Sequence, residues 1–182
     1  NWTYALNDVW TGVQTAYAAL VADVQRVHGV AIETLAAAGV SAMMHGYLAF
    51  DAEGELLVPF RTWRNTSTER AAGVLSELLG TNIPLRWSIA HLYQAVLDEE
   101  DHIPDVASFT TLAGYVHEKL TGRRVLGIGD ASGMFPIDVA THDYDAVMAA
   151  KFDRLVAERA PGLRLRSLLP DVLVAGEAAG EL

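Results

Sequence analysis

The sequence predicts a mixed α/β domain, and three features carry that prediction. Apolar residues recur at helical spacing over several segments, short apolar runs lie between them, and Gly, Pro and helix-capping residues separate the two kinds. Helices alternating with buried strands build a layered α/β architecture. With 182 residues, the chain is one ordinary domain with a real core or a large piece of a bigger one. At 51% hydrophobic it is too apolar to stay disordered.

The first element is an amphipathic helix. Asn7 is a suitable N-cap, Asp8 favours a first turn, and Gly29 stands where a left-handed C-terminal residue is wanted. Val9, Trp10, Val13, Ala16, Tyr17, Leu20, Val21, Val24 and Val27 keep helical spacing and are expected to face the core. Residues 35–44 are small and apolar, and are expected to form a buried strand ending at His45-Gly46. Segments 47–50 and 56–58 then read as a hairpin around the turn Asp51-Ala52-Glu53-Gly54. After Pro59 comes an aromatic and cationic cluster, Phe60-Arg61-Thr62-Trp63-Arg64-Asn65. Ser67 or Thr68 caps a second helix with Ala71, Ala72, Val74, Leu75, Leu78 and Leu79 inside and Gly80 after it.

Ile83-Pro84 forces a break, because the residue before proline is pushed out of helical geometry. Ser88 is expected to cap a third helix carrying Ile89, Leu92, Tyr93, Val96 and Leu97, closed by a solvated acidic run at 98–101. A short buried strand is expected at 106–110, and a helix at 112–120 stopped by Thr121-Gly122. Residues 125–134 form a glycine-punctuated loop or strand, left through Phe135-Pro136-Ile137-Asp138. Asp143 or Asp145 opens a last helix with Val147, Met148, Phe152, Leu155 and Val156 inside. Leu168-Leu169-Pro170 reads as a docking segment, and 172–174 as the start of a strand.

Charge and composition exclude several functions. A formal net charge of −10 disfavours nucleic acid and anionic membranes, which need Lys/Arg patches. Without Cys there is no disulfide scaffold or thiolate metal site, which agrees with a cytoplasmic protein. No secretory signal and no apolar run of about 18 residues is found. The chain opens without Met and ends at Gly176-Glu-Ala-Ala-Gly-Glu-Leu, and is expected to be an excerpt of a longer one.

The candidate sites are polar groups in apolar settings. His45, after small side chains and before Gly46, suits a ligand contact, although a lone histidine is more often satisfied at a strand end. Trp63 and Trp87 each have an Arg beside them, Arg64 and Arg86. An aromatic face with nearby donors suits a polyol, and a core role is equally open. Gly127-Ile-Gly-Asp-Ala-Ser-Gly133 has one residue too many for a dinucleotide fingerprint and lacks the Gly of a nucleophile elbow. It reads as a tight turn whose Asp130 and Ser132 satisfy backbone donors. The histidines show no metal-ligand spacing, and His28, His91, His102, His117 and His142 are expected in solvated or capping roles near helix ends. There is no phosphate-binding P-loop motif.

Together these motifs resemble the FGGY carbohydrate kinases. Ser41-Ala-Met-Met-His-Gly46, the hairpin with its Asp-x-x-Gly turn, Pro59 and Thr62-Trp63-Arg64-Asn65 follow the family's order of strand, hairpin and tryptophan. Further on, Leu120-Thr-Gly122 and Gly129-Asp-Ala-Ser-Gly133 resemble its Leu-Thr-Gly…Asp-Ala-Ser-Gly-Thr element. The similarity runs in register from about Trp10 to the end. It implies a ribonuclease-H-like, actin-like α/β domain, incomplete, with a mixed sheet and flanking helices. Residues 1–182 would be part of the first, sugar-binding domain.

The resemblance further implies ATP-dependent phosphorylation of a ketose or polyol hydroxyl by the parent protein, with Mg2+. A carboxylate takes the proton, and positioning and electrostatics supply most of the rate. The family's sugar contacts fall on Met44 and His45, on Trp63 with Arg64 and Asn65, and more loosely on Trp87. Its Asp-x-Gly-Thr hairpin would precede Asn1, and its general-base segment and second domain would follow Leu182. No catalytic residue, metal ligand or bound cofactor is therefore expected within this chain, which alone would be inactive. Met43 replaces the usual Gln and Met134 the common Thr, while Met-His-Gly is most familiar in xylulose-type kinases. The alternative is a non-catalytic sugar-sensing or interaction domain of the same fold. As an excerpt lacking its first strands, the chain is expected to expose a sheet edge and to form a homodimer.

Overall fold

The computed structural model describes residues 3–182. The chain starts with β1 (Thr3–Tyr4) and α1 (Leu6–His28), and α1 stops at Gly29, whose φ of 68° lets its N–H reach the Gln25 carbonyl. Ala5, extended and without a side-chain cap, stands at the N-cap in place of Asn7. None of the residues of α1 is buried, contrary to its amphipathic pattern. Its first turns find a partner: Leu6, Val9 and Trp10 pack on a small apolar cluster, and Trp10 Nε1–H donates to the Tyr115 hydroxyl at 3.1 Å. Beyond them Val13, Tyr17, Leu20 and Val27 stay exposed, because no described element lies opposite.

The expected strand at 35–44 is likewise absent. That segment has no regular secondary structure and is largely exposed, with Val40 and Met43 against the small cluster. A strand needs a neighbour to pair its backbone groups, and none runs beside it among the described residues. The hairpin forms. β2 (Leu48–Phe50) turns at Asp51, whose carboxylate accepts from the Glu53 and Glu55 N–H groups, and Phe50 bridges Leu56. β3 (Phe60–Arg61) pairs antiparallel with β1, and Tyr47 and Arg61 exchange backbone hydrogen bonds.

Helices α2 (Glu69–Leu79) and α3 (Ser88–Leu97) follow. Thr68 stands at the N-cap of α2, but its hydroxyl donates to the Leu85 carbonyl at 2.6 Å, and Val74 is on the open face. Trp87, not Ser88, is the N-cap residue of α3, and the Ser88 hydroxyl is buried without a partner. β4 (Ser108–Thr110) pairs antiparallel with β2, and Thr111 caps α4 (Leu112–Thr121) by accepting from the Gly114 N–H. β5 (Val125–Gly127) leads into the single turn α5 (Ile128–Ala131). β6 (Ile137–Asp138) pairs with β7 (Asp143–Tyr144), and Asp145 caps α6 (Ala146–Val156), which leaves Val147 exposed. The short α7 (Leu165–Leu168) brings β8 (Asp171–Leu173) parallel to β5.

The described strands thus form four two-stranded pieces, one parallel and three antiparallel, with helices packed around them. The main core gathers Leu75, Ile89, Leu92, Phe109, Phe135, Phe152 and Leu165, all fully buried. The acidic run after α3 is not wholly solvated, since Glu100 is half-buried in an ion pair with Arg61. His91 and His102, expected near solvent, are buried. His102 Nε2 meets the Tyr47 hydroxyl at 3.0 Å, and neither ring nitrogen of His91 has a partner.

Candidate functional site: the His45 seat

His45 sits where three chain segments converge. The Gly46 N–H donates to the Arg86 carbonyl at 3.1 Å, and the Ile89 N–H donates to the Met134 carbonyl at 3.2 Å. These bonds fasten the loop before β2 to the start of α3, and α3 to the turn after α5. The third link is direct, with His45 Nδ1 lying 3.3 Å from the Gly133 carbonyl. A carbonyl only accepts, so Nδ1 carries the proton and Nε2 is left with a lone pair.

Two glycines make this convergence possible. Gly46 has φ of 104°, and a Cβ there would lie 2.5 Å from the Arg61 carbonyl oxygen. A Cβ on Gly133 would lie 2.6 Å from both His45 Nδ1 and the Met44 carbonyl oxygen. Neither position accepts a side chain without displacing the imidazole's support.

Burial lowers the pKa of His45, with the Gly133 hydrogen bond raising it, nearby Arg86 lowering it and nearby Asp130 raising it. Burial raises the carboxyl of Asp130, and His45 partly offsets that. His45 is therefore a neutral imidazole at pH 7, beside a half-buried carboxyl group.

The sequence-derived site residues are only partly together. Met44, His45 and Trp87 are half-buried around the junction of the 44–46 loop with α3. Trp63 and Arg64 lie on the turn after β3, held near Gly46 because Tyr47 pairs with Arg61. Trp63 is 47% exposed, and the Arg64 guanidinium stacks 5.1 Å above its ring. Asn65 faces inward. It is 4% exposed, and its Oδ1 accepts from the Ser67 N–H and hydroxyl, so it holds the turn instead of opening to a ligand.

Asp130 and Gly133 were absent from the sequence-derived site. The turn at 128–133 is real, with the Gly133 N–H donating to the Asp130 carbonyl, and the Ser132 hydroxyl donating to Gly129. Among the described residues the Asp130 carboxyl accepts from no backbone donor, contrary to the expectation. The sequence shows Asp130 and Gly133 in one turn, but not that this turn meets His45.

A wider cavity of about 700 Å3 lies alongside, bounded by residues 35–40, β5, Asp130 and the segment 173–182. No Lys or Arg lines it, and among the described residues no three His, Asp or Glu side chains converge to hold a metal. Among the described residues this cavity thus presents neither an all-protein metal cage nor a cationic side chain for a polyphosphate.

The sequence profile described as the N-terminal domain of the FGGY family of carbohydrate kinases matches residues 3–182. The chain belongs to this family. Its fold is accordingly the ribonuclease-H-like, actin-like α/β fold of the FGGY N-terminal domain. Among solved structures it is similar to a xyloylose kinase from Brucella ovis, at TM-score 0.70 and 22% identity, covering 88% of this chain and 33% of that one. A gluconate kinase from Lactobacillus acidophilus matches at TM-score 0.60 and 17% identity, over 84% of this chain and 30% of that one. A xylulose kinase from Bifidobacterium adolescentis matches at TM-score 0.57 and 14% identity, over 75% and 35%. The FGGY chain described here thus spans about a third of the length of these proteins. No curated protein sequence gives a match.

Proposed function

We propose that this chain is the sugar-recognising part of an FGGY kinase, and that the longer protein containing it transfers the γ-phosphate of ATP to a hydroxyl of a ketose or polyol. The observation that carries this reading is the His45 seat, a neutral imidazole fixed by two glycines that admit no side chain, inside a chain whose family is that of carbohydrate kinases. Met44, His45 and Trp87 form the floor, and Trp63 with Arg64 forms the rim that stacks on the sugar's carbon face. Asn65 keeps the rim turn in place. Residues 1–182 then form part of the first domain, and the general base, the phosphate-binding hairpin and the second domain belong to the rest of the protein.

ATP and Mg2+ are the donor and metal of that longer protein, and no residue described here is assigned to hold either. A small-molecule sugar is the partner, and the cytoplasm, where ATP is available to such an enzyme, is the proposed location. No described helix is long and apolar enough to cross a membrane. The exposed apolar residues of α1 support self-association, and a clean monomer in sedimentation would contradict it.

The test is to express the longest reading frame containing residues 1–182 and to follow ADP release over ketopentoses, ketohexoses, polyols and aldonates. Turnover with a ketose or polyol, lost in His45→Ala, is expected. No turnover with any of them would contradict the kinase reading and favour a sensing or interaction role.

A further inference from the structure

Four side chains behind the 44–47 loop have no part in the sugar-site reading, yet they contact one another in a closed cycle. Tyr47 is fully buried, and its hydroxyl lies 3.0 Å from His102 Nε2. His102 Nδ1 lies 3.4 Å from a Glu100 carboxylate oxygen, and the same oxygen pairs with the Arg61 guanidinium. That guanidinium sits 5.6 Å above the Tyr47 ring. Tyr47 and Arg61 also exchange backbone hydrogen bonds, which closes the cycle. The turn that delivers Glu100 is strained, since Glu99 has φ of 53°, a left-handed geometry that costs a non-glycine residue free energy.

The charges fix the direction of the cycle. A proton on His102 Nδ1 faces the carboxylate, whereas the opposite tautomer would turn a lone pair towards it. Nε2 then accepts from the Tyr47 hydroxyl, which burial keeps protonated. An imidazolium has no lone pair, so protonating His102 breaks this bond. Losing one member of a buried polar cycle strands the others, which costs more than the bond itself. β3 is only two residues long, and the cycle ties Tyr47 to it a second time.

We propose that the Tyr47–His102–Glu100–Arg61 cycle is a pH-sensitive clamp that holds the 44–47 loop on β3, and that His102 is thereby a positioning residue for sugar binding. The binding half of the proposal rests on the sugar-site reading, and the clamp itself does not. Burial lowers the pKa of His102, Glu100 opposes this and Arg61 adds to it. The clamp is therefore closed at neutral pH and opens as pH falls through the His102 value. His91, on α3, stacks on the other side of the cycle at 6.4 Å from the Tyr47 ring. Burial and Arg61 lower its pKa to about 3.

The test compares the 182-residue wild-type chain with Tyr47→Phe, His102→Phe and His102→Gln, using D-xylulose as the probe. Glutamine keeps one acceptor and one donor in place of the imidazole's pair, and it does not titrate. Hydrogen-exchange protection is read at the backbone amides of residues 47 and 61, against Ala72 and Leu75 of α2 as references for global opening. At neutral pH both phenylalanine variants should lower protection at 47 and 61 about tenfold relative to the references, and His102→Gln should restore it. In the wild type, protection at 47 and 61 should fall relative to the references as pH drops below about 6.5, and in His102→Gln it should not. D-xylulose affinity should follow the same pattern, about tenfold weaker in the phenylalanine variants and restored in His102→Gln. If His102→Phe does not fold, Tyr47→Phe and His102→Gln carry the test.

Unchanged protection at 47 and 61 in Tyr47→Phe, or an acid response in His102→Gln equal to that of the wild type, would overturn the clamp. A clamp that opens as described while D-xylulose affinity keeps its wild-type value would overturn the positioning role and leave the sugar site standing. If the amides respond and no chain, wild type included, binds D-xylulose, the clamp stands, and the sugar-site reading fails and takes the positioning role with it.

Discussion

The main helical layer and α1 carry the same kind of sequence and meet opposite fates. In α2, α3 and α6, apolar residues at helical spacing close on one another, so that Leu75, Leu92 and Phe152 are fully buried. In α1 an equally regular stripe brings no residue to full burial, and Leu20 and Val27 are each 53% exposed. Periodicity specifies which face of a helix is apolar, while what covers that face is decided elsewhere. The His45 seat lies on the covered side of this divide, built on β2, β3 and α3. The cavity along 35–40 lies on the open side.

Core truncation gives the largest contrast. Phe152→Ala is expected to cost about 3–5 kcal/mol in urea unfolding, whereas Leu20→Ala should stay within about 0.5 kcal/mol. Comparable losses would mean that α1 is covered in solution.

Next in size is acid sensitivity, which comes from the covered side. Burial lowers the pKa of His91 to about 3, below its unfolded value near 6.5. The unfolded chain therefore binds a proton that the folded chain refuses, and stability is lost as pH falls from about 6.5 towards 3. His102, also lowered by burial although Glu100 opposes this, adds to the same slope. Replacing His91 with Phe should flatten the fall in stability between pH 6.5 and 4, and an unchanged slope would show that His91 is hydrated or paired in solution.

Gly46→Ala should cost about 1–3 kcal/mol, because its φ of 104° and the Arg61 carbonyl both resist a Cβ. The smallest effects are the most diagnostic. Gly12 in α1 and Gly73 in α2 both have open space around them, so alanine at each should add about 0.5–1 kcal/mol of helix stability. In α2 the gain should appear in global unfolding. In α1 it should appear only as slower local hydrogen exchange, since that helix can fray without opening the core.

The legible parts of the fold were those decided locally. Gly29, Gly80 and Gly122 end their helices in left-handed geometry as their positions suggested, and Asp145, one of the two residues expected to open α6, caps it. What needed a neighbour was not legible. Residues 35–44 looked like a buried strand because they are small and apolar, yet without an adjacent strand they have no ladder to join. His91 and His102 looked exposed because they flank a helix end, and only the packing of Tyr47 and Arg61 shows them buried.

The site shows the same division. His45 stood out by its sequence setting and by the resemblance, while Trp63 and Trp87, each beside an Arg, were left equally open to a core role. The role of Gly133 depends on a contact across 88 positions that no spacing rule reveals.

The most direct test of the central claim is a tryptophan-fluorescence titration of the 182-residue chain with D-xylulose, L-ribulose and related ketoses, on wild type and His45→Ala. Trp63 at the rim and Trp87 at the floor should report occupancy. The account predicts a saturable change with at least one ketose, abolished by His45→Ala while the circular dichroism is unchanged. A saturable response that survives His45→Ala with the same affinity would place sugar recognition elsewhere and contradict the account.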